Sequence, residues 1–415
     1  MSQDVYLRKD CRMCCSTNLV KVMELTPTPP GNNFIKKLPV EDPEISFPLD
    51  LYFCLDCYHL QMGHVVSPQI LYQTDYSYLT ATSAYFVKHL AKYANNMIKK
   101  FSLSKGMKVA DIGSNDGTCL LQFKNLGLDV IGVDPAIQIA NEATKNGIET
   151  VPDFFTYLLA VKLKEKYGSV DFITSHNACA HIDQLDDVFK GVSHWLNDNG
   201  VFVLEVGYFV DVYTQLYFDT IYHEHCDFHT VSPFHKIFER TGLELIDVER
   251  ISPQGGSIRV MAQKIGGPHK IQNSVSEMIK LELDLKFNLA ETFSNFDDRI
   301  NNIGIKLKTL ISNLKQNGAS IAAYGAPTKA TTLLNKFDIG GGYIDFIVED
   351  NILKQGLFMP LSHIPILPTE EMYKRKPEYV LILAWNFAEP IMEMHKKYLE
   401  NGGHFIVPLP EPKIF

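Results

Sequence analysis

The stretch VADIGSNDGT, residues 109–118, decides the fold class of this chain. It is a short apolar run that ends in a glycine turn, and LQFKNLG at 121–127 follows with the spacing of a helix. The next apolar run, DVIGVDP at 129–135, ends with an acidic residue, Asp134. A strand, a glycine turn, a helix and a second strand form the unit from which doubly wound parallel sheets are built.

Further strand and helix signals extend this pattern along the chain. VDFITSHN at 170–177 and VFVLEV at 201–206 are apolar enough for buried strands, which predicts a parallel sheet with helices on both faces. Apolar residues spaced by threes and fours over 274–316 predict a helical connector. A second strand, glycine turn and helix begin with ASIAAYGAPTKATTLLNKF at 319–337. The fold class is therefore α/β, with a central Rossmann-like domain and a second Rossmann-like domain at the C-terminal end.

Five of the eight cysteines fall within the first 57 residues, which indicates a small cysteine-rich lobe at the N-terminal end. Two Cys-x-x-Cys pairs, Cys11 with Cys14 and Cys54 with Cys57, predict two knuckles that close one tetrahedral zinc site. Such a four-cysteine site is structural, because it leaves no open position for a substrate. A redox pair or unrelated buried cysteines are the alternatives, and Cys15 has no place in the pattern.

The composition limits the classes of function. A chain of 415 residues with 46% hydrophobic and 21% charged residues is typical of a globular protein of two or three domains. Its net charge of −9 argues against sequence-independent binding of nucleic acid, which needs a basic face. No apolar run is long enough for a membrane span or a signal peptide. We therefore expect a cytoplasmic protein without nucleic-acid or membrane partners, with a monomer slightly favoured.

The glycine turn after the first strand indicates the cofactor. The residues from Asp111 to Gly117 read Asp-x-Gly-x-x-x-Gly, whereas the usual NAD fingerprint is Gly-x-Gly-x-x-Gly. This pattern suits S-adenosylmethionine, which has no pyrophosphate to seat on the helix. Asp111 and the turn amides, including that of Gly113, would hold the methionine ammonium and carboxylate, and Asp134 would accept the ribose hydroxyls. An NAD site or an empty Rossmann turn is the alternative.

The remaining cofactor contacts are expected around the adenine and the glycine turn. Pro135, together with Phe154 or Phe155, would sandwich the adenine ring. Three further residues complete the expected set: Tyr76, Asn115 and Asn177.

Nine short motifs are spread along the chain, and each occurs once. They are DYSYLTATSAYFVKH (75–89), ADIGSNDGT (110–118), AHID (180–183), FDTIYHEH (218–225), GGSIR (255–259), YGAPTKATTLL (324–334), KQG (354–356), HIPI (363–366) and AWN (384–386). With the cysteine pairs, they resemble the sugar C-methyltransferases of deoxysugar biosynthesis. The chain departs from the usual motifs within 226–228, at Gln254, within 349–352 and within 360–362. The resemblance therefore implies the reaction class and leaves the particular sugar open.

This resemblance implies three domains. They are a zinc-binding lobe at 1–73, an S-adenosylmethionine-binding methyltransferase domain at 74–272, and a helical connector with a substrate-binding α/β domain at 273–415. It also implies a nucleotide-linked 4-keto deoxysugar as substrate, which receives the methyl group on C3, the carbon beside the ketone.

The stretch TIYHEHCDFH, residues 220–229, supplies the expected acid–base chemistry. Methylation beside a ketone requires removal of an α-proton, and histidine is the usual base near neutral pH. We expect His225 to be the base and Tyr222 to be its proton relay or an enolate partner. Glu224 would orient an imidazole, and His181 would polarise the sugar carbonyl. A metal site or a plain polar loop is the alternative, and His229 is expected to be a bystander.

The nucleotide part of the substrate needs contacts to its phosphates. The turn from Gly325 to Lys329 offers amides and a lysine at the start of a helix, and Arg259 is a second candidate. Two other functions stay open: an NAD-dependent nucleotide-sugar oxidoreductase and an O- or N-methyltransferase on a related sugar. The expected Tyr-x-x-x-Lys dyad of such an oxidoreductase is missing, because Cys226 stands four residues after Tyr222.

Overall fold

The computed structural model describes residues 4–40, 43–72 and 79–415. No helix in these ranges is both long enough and apolar enough to cross a membrane.

The N-terminal lobe is built on two small sheets. Its elements are β1 (Val5–Leu7), β2 (Leu19–Thr28), β3 (Phe47–Cys54), β4 (Leu60–Met62), β5 (His64–Val66) and α1 (Pro68–Tyr72). Strands β2, β3 and β4 are antiparallel neighbours, and β1 pairs with β5. Residues Leu49, Leu51 and Phe53 of β3 alternate into the core, as expected for a strand with one buried face.

The central region is a seven-stranded sheet flanked by helices. Its elements are α2 (Ala84–Lys100), β6 (Lys108–Ile112), α3 (Thr118–Asn125), β7 (Asp129–Val133), α4 (Ile137–Lys145), β8 (Thr150–Val151), α5 (Tyr157–Tyr167), β9 (Val170–His176), α6 (Leu185–Trp195), β10 (Leu196–Gly207), α7 (Phe209–Gln215), β11 (Asp227–Phe228), α8 (Ser232–Thr241), β12 (Leu243–Ile251) and β13 (Ser257–Lys264). The strand order is β12-β13-β10-β9-β6-β7-β8. The predicted strand–turn–helix unit at 109–127 is confirmed as β6 and α3.

Part of this sheet departs from the parallel arrangement that the sequence predicts. Strands β10, β9, β6, β7 and β8 are parallel, but β13 is antiparallel to both β10 and β12. The reason is the short connection at 252–256, which joins β12 to β13 as a hairpin. A parallel pair would need a crossover of a dozen or more residues, usually through a helix.

Strand β11 does not belong to the central sheet. It pairs with β4, which gives the lobe a four-stranded sheet with the order β11-β4-β3-β2. The two residues that form β11 lie inside the expected catalytic stretch at 220–229, near its C-terminal end. The N-terminal lobe therefore holds one end of that stretch.

The C-terminal region contains the helical connector and a six-stranded sheet. Its elements are α9 (Asn273–Asp284), α10 (Ala290–Gln316), β14 (Ile321–Tyr324), α11 (Ala330–Lys336), β15 (Ile347–Glu349), β16 (Ile366–Pro368), α12 (Glu370–Arg375), β17 (Tyr379–Ile382), α13 (Ala388–Met394), α14 (Lys396–Glu400), β18 (His404–Val407) and β19 (Lys413–Ile414). The strand order is β16-β15-β14-β17-β18-β19, and only the last pair is antiparallel. The second α/β unit that the sequence predicts is confirmed.

The connector joins the three regions in one core. It consists of two helices, α9 and α10, which separate at 285–289, where Lys286 has a φ of 60°. The apolar stripe of α10 is buried as predicted, and Phe293 packs on Phe53 of the lobe with ring centroids 4.9 Å apart. Short 3-10 turns lie between these elements at Cys179–His181, Phe218–Thr220 and Trp385–Phe387, and the first of them carries the expected site residue His181.

Candidate active site

A cavity of about 1460 Å³ lies where the three regions meet. Asn32 of the lobe, Asp111 of the central sheet and Lys329 of the C-terminal region all line it. Pockets for a single small ligand usually measure about 300–1000 Å³. The cavity therefore has room for a cofactor and a substrate together.

The glycine turn after β6 forms one end of the cavity. Gly113 has a φ of 75°, and a Cβ there would lie 2.5 Å from the Cβ of Ala178. Gly117 has a φ of 79° and starts α3, where a Cβ would lie 2.9 Å from the Ile148 side chain. Of these two glycines, Gly113 lines the cavity and Gly117 does not. Gly117 therefore allows the backbone conformation of the turn without contacting the cavity.

Asp111 is buried at this end of the cavity, and its Oδ1 atom has no hydrogen-bond partner. Burial, together with the charge of Asp134, raises the pKa of Asp111 well above its ordinary value. A carboxyl group in this state gains most from a nearby cation, because the cation compensates the charge that burial disfavours. The methionine ammonium of S-adenosylmethionine fits this requirement.

Asp134 follows β7 and is fixed by the turn. Its Oδ2 atom accepts a hydrogen bond from the Asn115 amide at 2.8 Å, and its Oδ1 atom accepts one from the Ala136 amide at 2.9 Å. Each oxygen keeps a second lone pair for a ribose hydroxyl. Burial raises the pKa of Asp134. The Asn115 side chain in turn accepts from the amide of Thr80, which ties the turn to the segment before α2.

The walls beside Asp134 suit a flat ring. Four of the expected cofactor residues line the cavity here: Pro135, Phe154, Phe155 and Asn177. Tyr76, the remaining expected contact, lies outside the described residues. The donor set and the apolar walls together fit S-adenosylmethionine.

His225 and Tyr222 form a hydrogen-bonded pair at the middle of the cavity. The Nδ1 atom of His225 donates to the carbonyl of Thr220 at 2.6 Å, so Nε2 is the basic nitrogen of the neutral ring. The Tyr222 hydroxyl lies 3.2 Å from Nε2 and is the donor in that contact. Burial lowers the pKa of His225 to about 4, which keeps the imidazole neutral at pH 7. Thr220, rather than Glu224, therefore orients this imidazole.

His181 packs edge-on against His225, with ring centroids 4.9 Å apart, and both rings line the cavity. The Cys226 amide donates to the Ala180 carbonyl at 2.7 Å, which joins the two histidine segments through their backbones. Burial, with a smaller effect from the His225 charge, lowers the pKa of His181 well below its usual value. His181 is thus a neutral imidazole at pH 7.

Glu224 lies on the side of the cavity formed by the lobe and the C-terminal region. Its Oε1 atom accepts a hydrogen bond from the Asn32 side chain at 2.9 Å. Burial raises the pKa of Glu224 to about 7, although Asn32 and the nearby Lys354 both act to lower it. A carboxyl that titrates near neutral pH inside a cavity is a candidate acid or base. Sequence reasoning missed Asn32 and Lys354, because their links to Glu224 span distant parts of the chain.

Lys329, an expected substrate contact, lines the cavity together with a second lysine, Lys354. It is buried, and its Nζ atom lies 2.8 Å from the Asn386 side-chain oxygen and 3.5 Å from the centre of the Trp385 ring. Burial lowers the pKa of Lys329 to about 8, while the charge of Asp219 opposes this effect. Gly325 has a φ of 86° and does not line the cavity, so it shapes the turn.

Arg259 lies elsewhere. Its guanidinium is held by Glu205 at 2.6 Å and by Glu249 at 2.5 Å, and it stacks on Tyr93. It does not line the cavity. Its donors are engaged by two carboxylates, so the expected contact between Arg259 and the substrate is not kept. Glu205 also binds His176, a cavity-lining residue that the sequence analysis did not identify.

The four cysteines of the lobe converge on one point. The sulfur atoms of Cys11, Cys14, Cys54 and Cys57 all lie within 4.8 Å of one another. Four thiolates at such distances fit a tetrahedral zinc ion with Zn–S bonds of about 2.3 Å. In the described ranges of the chain this is the one cluster of at least three metal-ligating side chains.

The alternative metal site at 223–225 does not form. The His223 ring donates to the Phe47 carbonyl at 3.1 Å, away from His225, which donates to Thr220. His229 packs on Phe234, with ring centroids 5.2 Å apart.

The fold, the glycine turn and Asp134 define a class I S-adenosylmethionine-dependent methyltransferase that also has a four-cysteine zinc site. Family models agree with this class: a zinc binding domain matches residues 11–72, a methyltransferase domain matches 86–248, and a C-methyltransferase C-terminal domain matches 252–410. The C-methyltransferase NovU of Streptomyces niveus is 33% identical over 405 residues, which cover 98% of this chain and 96% of that protein. The chain belongs to the family of this C-methyltransferase.

Among solved structures, the chain is similar to the magnesium protoporphyrin IX methyltransferase ChlM of Synechocystis PCC 6803. That match has 13% identity, covers 46% of this chain and 86% of that chain, and has a TM-score of 0.33. An S-adenosylmethionine-dependent methyltransferase of Clostridium acetobutylicum also matches at 13% identity, over 44% of this chain and 92% of that chain, with a TM-score of 0.35.

Proposed function

We propose that this C-methyltransferase acts on a nucleotide-linked 4-keto deoxysugar and methylates C3, the carbon beside the ketone. The proposal rests on one observation above all: the basic Nε2 atom of His225 belongs to the same cavity as Asp111 and Asp134. A base beside the cofactor site is what carbon methylation requires, because a C–H bond must be broken before the new C–C bond forms.

His225, with Tyr222, removes the α-proton of the sugar. The hydrogen bond from Nδ1 to Thr220 fixes the ring and leaves Nε2 as the proton acceptor. Tyr222 donates to the same atom, so a proton can reach Nε2 directly or through the Tyr222 hydroxyl. The electron pair of the broken C–H bond moves into the enolate and then forms the new bond to the methyl carbon.

Two groups stabilise the negative charge on the ketone oxygen. The neutral His181 ring offers an N–H donor, and Glu224, which is half protonated near pH 7, offers an O–H donor. Preorganised donors of this kind lower the barrier because they are strongest where charge develops in the transition state.

S-adenosylmethionine, when bound, supplies an electrophilic methyl group, and S-adenosylhomocysteine is left behind. Asp111 would hold its ammonium and Asp134 its ribose hydroxyls, while Pro135 with Phe154 or Phe155 would enclose the adenine. A site that holds both reactants in one cavity lowers the entropic cost of bringing them together for a displacement reaction.

The nucleotide part of the substrate is held by the C-terminal region. Lys329 is a buried cation beside an aromatic ring, and a diphosphate would stabilise the charge that burial disfavours. The amides at the turn before α11 add further donors, although this helix is short. Substrate recognition is therefore shared between a C-terminal phosphate contact and the central catalytic groups.

Mass spectrometry of 4-keto sugar nucleotides incubated with enzyme and S-adenosylmethionine tests the proposal. We expect one added methyl group, and NMR of the product should show that it is bonded to a ring carbon of the sugar. In heavy water without the cofactor, the α-position should exchange its proton for deuterium. A product methylated on oxygen or nitrogen, or no exchange at the α-carbon, would contradict the proposed chemistry.

A further inference from the structure

The loop at residues 29–40, between β2 and β3, contacts the active-site carboxyl group. Asn32 of this loop lines the cavity. Its Nδ2 atom donates to Glu224 Oε1 at 2.9 Å, and its Oδ1 atom accepts from the Thr328 hydroxyl at 2.8 Å. One side-chain amide therefore bridges Glu224 and the turn that carries Lys329.

The position of Asn32 is fixed by its neighbours. Gly31 lies so close to the turn that a Cβ there would be 2.5 Å from the Thr328 carbonyl oxygen. The Thr331 hydroxyl donates to the Gly31 carbonyl at 3.3 Å. Further along the loop, Ile35 forms a β-bridge with Phe358. The loop is thus docked on the C-terminal region, and the Asn32 amide donates to Glu224.

We propose that Asn32 is a positioning residue that orients the Glu224 carboxyl in the cavity and couples it to the Thr328–Lys329 turn. The hydrogen bonds from Asn32 to Glu224 and from Thr328 to Asn32 are seen in the structure. The catalytic role of this arrangement rests on the proposed function. The coupling would ensure that the proton donor is set correctly only when the turn that receives the anionic part of the substrate is in place.

The groups around Glu224 determine in which direction its pKa should shift when Asn32 is replaced. Asn32 donates a hydrogen bond that favours the ionised carboxylate, and Lys354 acts in the same direction. Lys354 itself donates to the Ala326 carbonyl at 2.8 Å and faces Glu349 as well as Glu224. Loss of the Asn32 donor should therefore raise the pKa of Glu224 further, and a carboxylate at position 32 should raise it more.

The experiment is an infrared titration of the Glu224 carboxyl, with Glu224→Gln used to assign its band. We expect a midpoint near pH 7 in the wild-type enzyme and an upward shift of about one pH unit in Asn32→Ala, the usual effect of removing a hydrogen bond to a charged group. Asn32→Asp, which keeps the shape of the side chain, should shift it further. Asn33→Ala is the matched control, because within the described chain the exposed Asn33 side chain makes no hydrogen bond.

Thr328→Val tests the coupling to the turn. It should move the titration in the same direction by a smaller amount, and the double variant should match Asn32→Ala alone, since both changes act through one amide. Binding of S-adenosylhomocysteine with unchanged affinity would show that each variant is folded.

An unchanged midpoint in both Asn32 variants, or an equal shift in Asn33→Ala, would overturn the inference. Additive shifts in the double variant would overturn the coupling. These readouts need no turnover, so they are separate from the proposed function. If the midpoint shifts but the pH dependence of methyl transfer does not follow it, Asn32 still positions Glu224 and the assigned role of Glu224 in the reaction fails.

Discussion

Replacement of Glu224 by glutamine should remove a pH-dependent loss of stability. Burial raises the pKa of Glu224 from 4.5 to about 7. Because the folded-state pKa lies above the unfolded value, the folded protein binds an extra proton between these pH values, and its stability falls as the pH rises through this window. At 1.36 kcal/mol for each pKa unit, the full loss is about 3 kcal/mol above pH 7.

Urea unfolding of wild type and Glu224→Gln between pH 4 and pH 8 measures this effect. The difference in unfolding free energy between the two proteins should change by about 3 kcal/mol in favour of the variant over that range. Other titrating groups are common to both proteins and cancel. Glu165→Gln, at an exposed site on α5, is the control and should give a difference that is constant with pH.

The same variant has a kinetic signature. If protonated Glu224 donates to the ketone oxygen, wild-type turnover should fall about tenfold per pH unit above 7, and Glu224→Gln should lose this alkaline limb because an amide keeps its donor. Stability curves that stay parallel from pH 4 to pH 8 would refute the assigned pKa. Parallel turnover profiles would refute the assigned donor.

Three further predictions concern the other parts of the site. His225→Asn should slow turnover by about a hundredfold to ten-thousandfold and abolish deuterium exchange at the α-carbon, with cofactor affinity unchanged. The control variant His229→Asn should leave the exchange near the wild-type rate. Exchange that persists in His225→Asn would exclude His225 as the base. Asp134→Ala should weaken S-adenosylhomocysteine binding in calorimetry by about tenfold to a hundredfold, and an unchanged dissociation constant would place the ribose elsewhere. Cys54→Ser should release zinc and lower the unfolding temperature, while Cys15→Ser should do neither; metal analysis that finds no zinc in the native protein would contradict the assignment.

The sequence predicted those parts of the fold that depend on local pattern. The glycine turn after β6, the acid at Asp134 and the cysteine pairs could be read because each places its key residues within a few positions of one another. The buried face of α10 follows from its spacing for the same reason. Such features require no knowledge of which distant segments meet.

The contacts that sequence reasoning missed are long-range. The Asn32–Glu224 bond spans 192 positions, and no periodicity reports a single side-chain contact of that kind. Arg259 shows a different problem, because a local pattern can fit two partners. An arginine after a glycine pair can bind an anionic substrate or a carboxylate of the protein, such as Glu205. Only the antiparallel pairing of β10 with β13, which places Glu205 opposite Arg259, distinguishes the two.

The pairing of β11 with β4 has a consequence for synthesis on the ribosome. Strand β4 ends at Met62, and its partner begins at Asp227, about 165 residues later. At a translation rate of about 5–20 residues per second, the outer edge of β4 waits roughly ten to thirty seconds for its partner. An unpaired edge is a template for association with other chains. The short outer edge of β4 therefore stays unpaired in the nascent lobe until the segment that follows His225, the expected base, has been made.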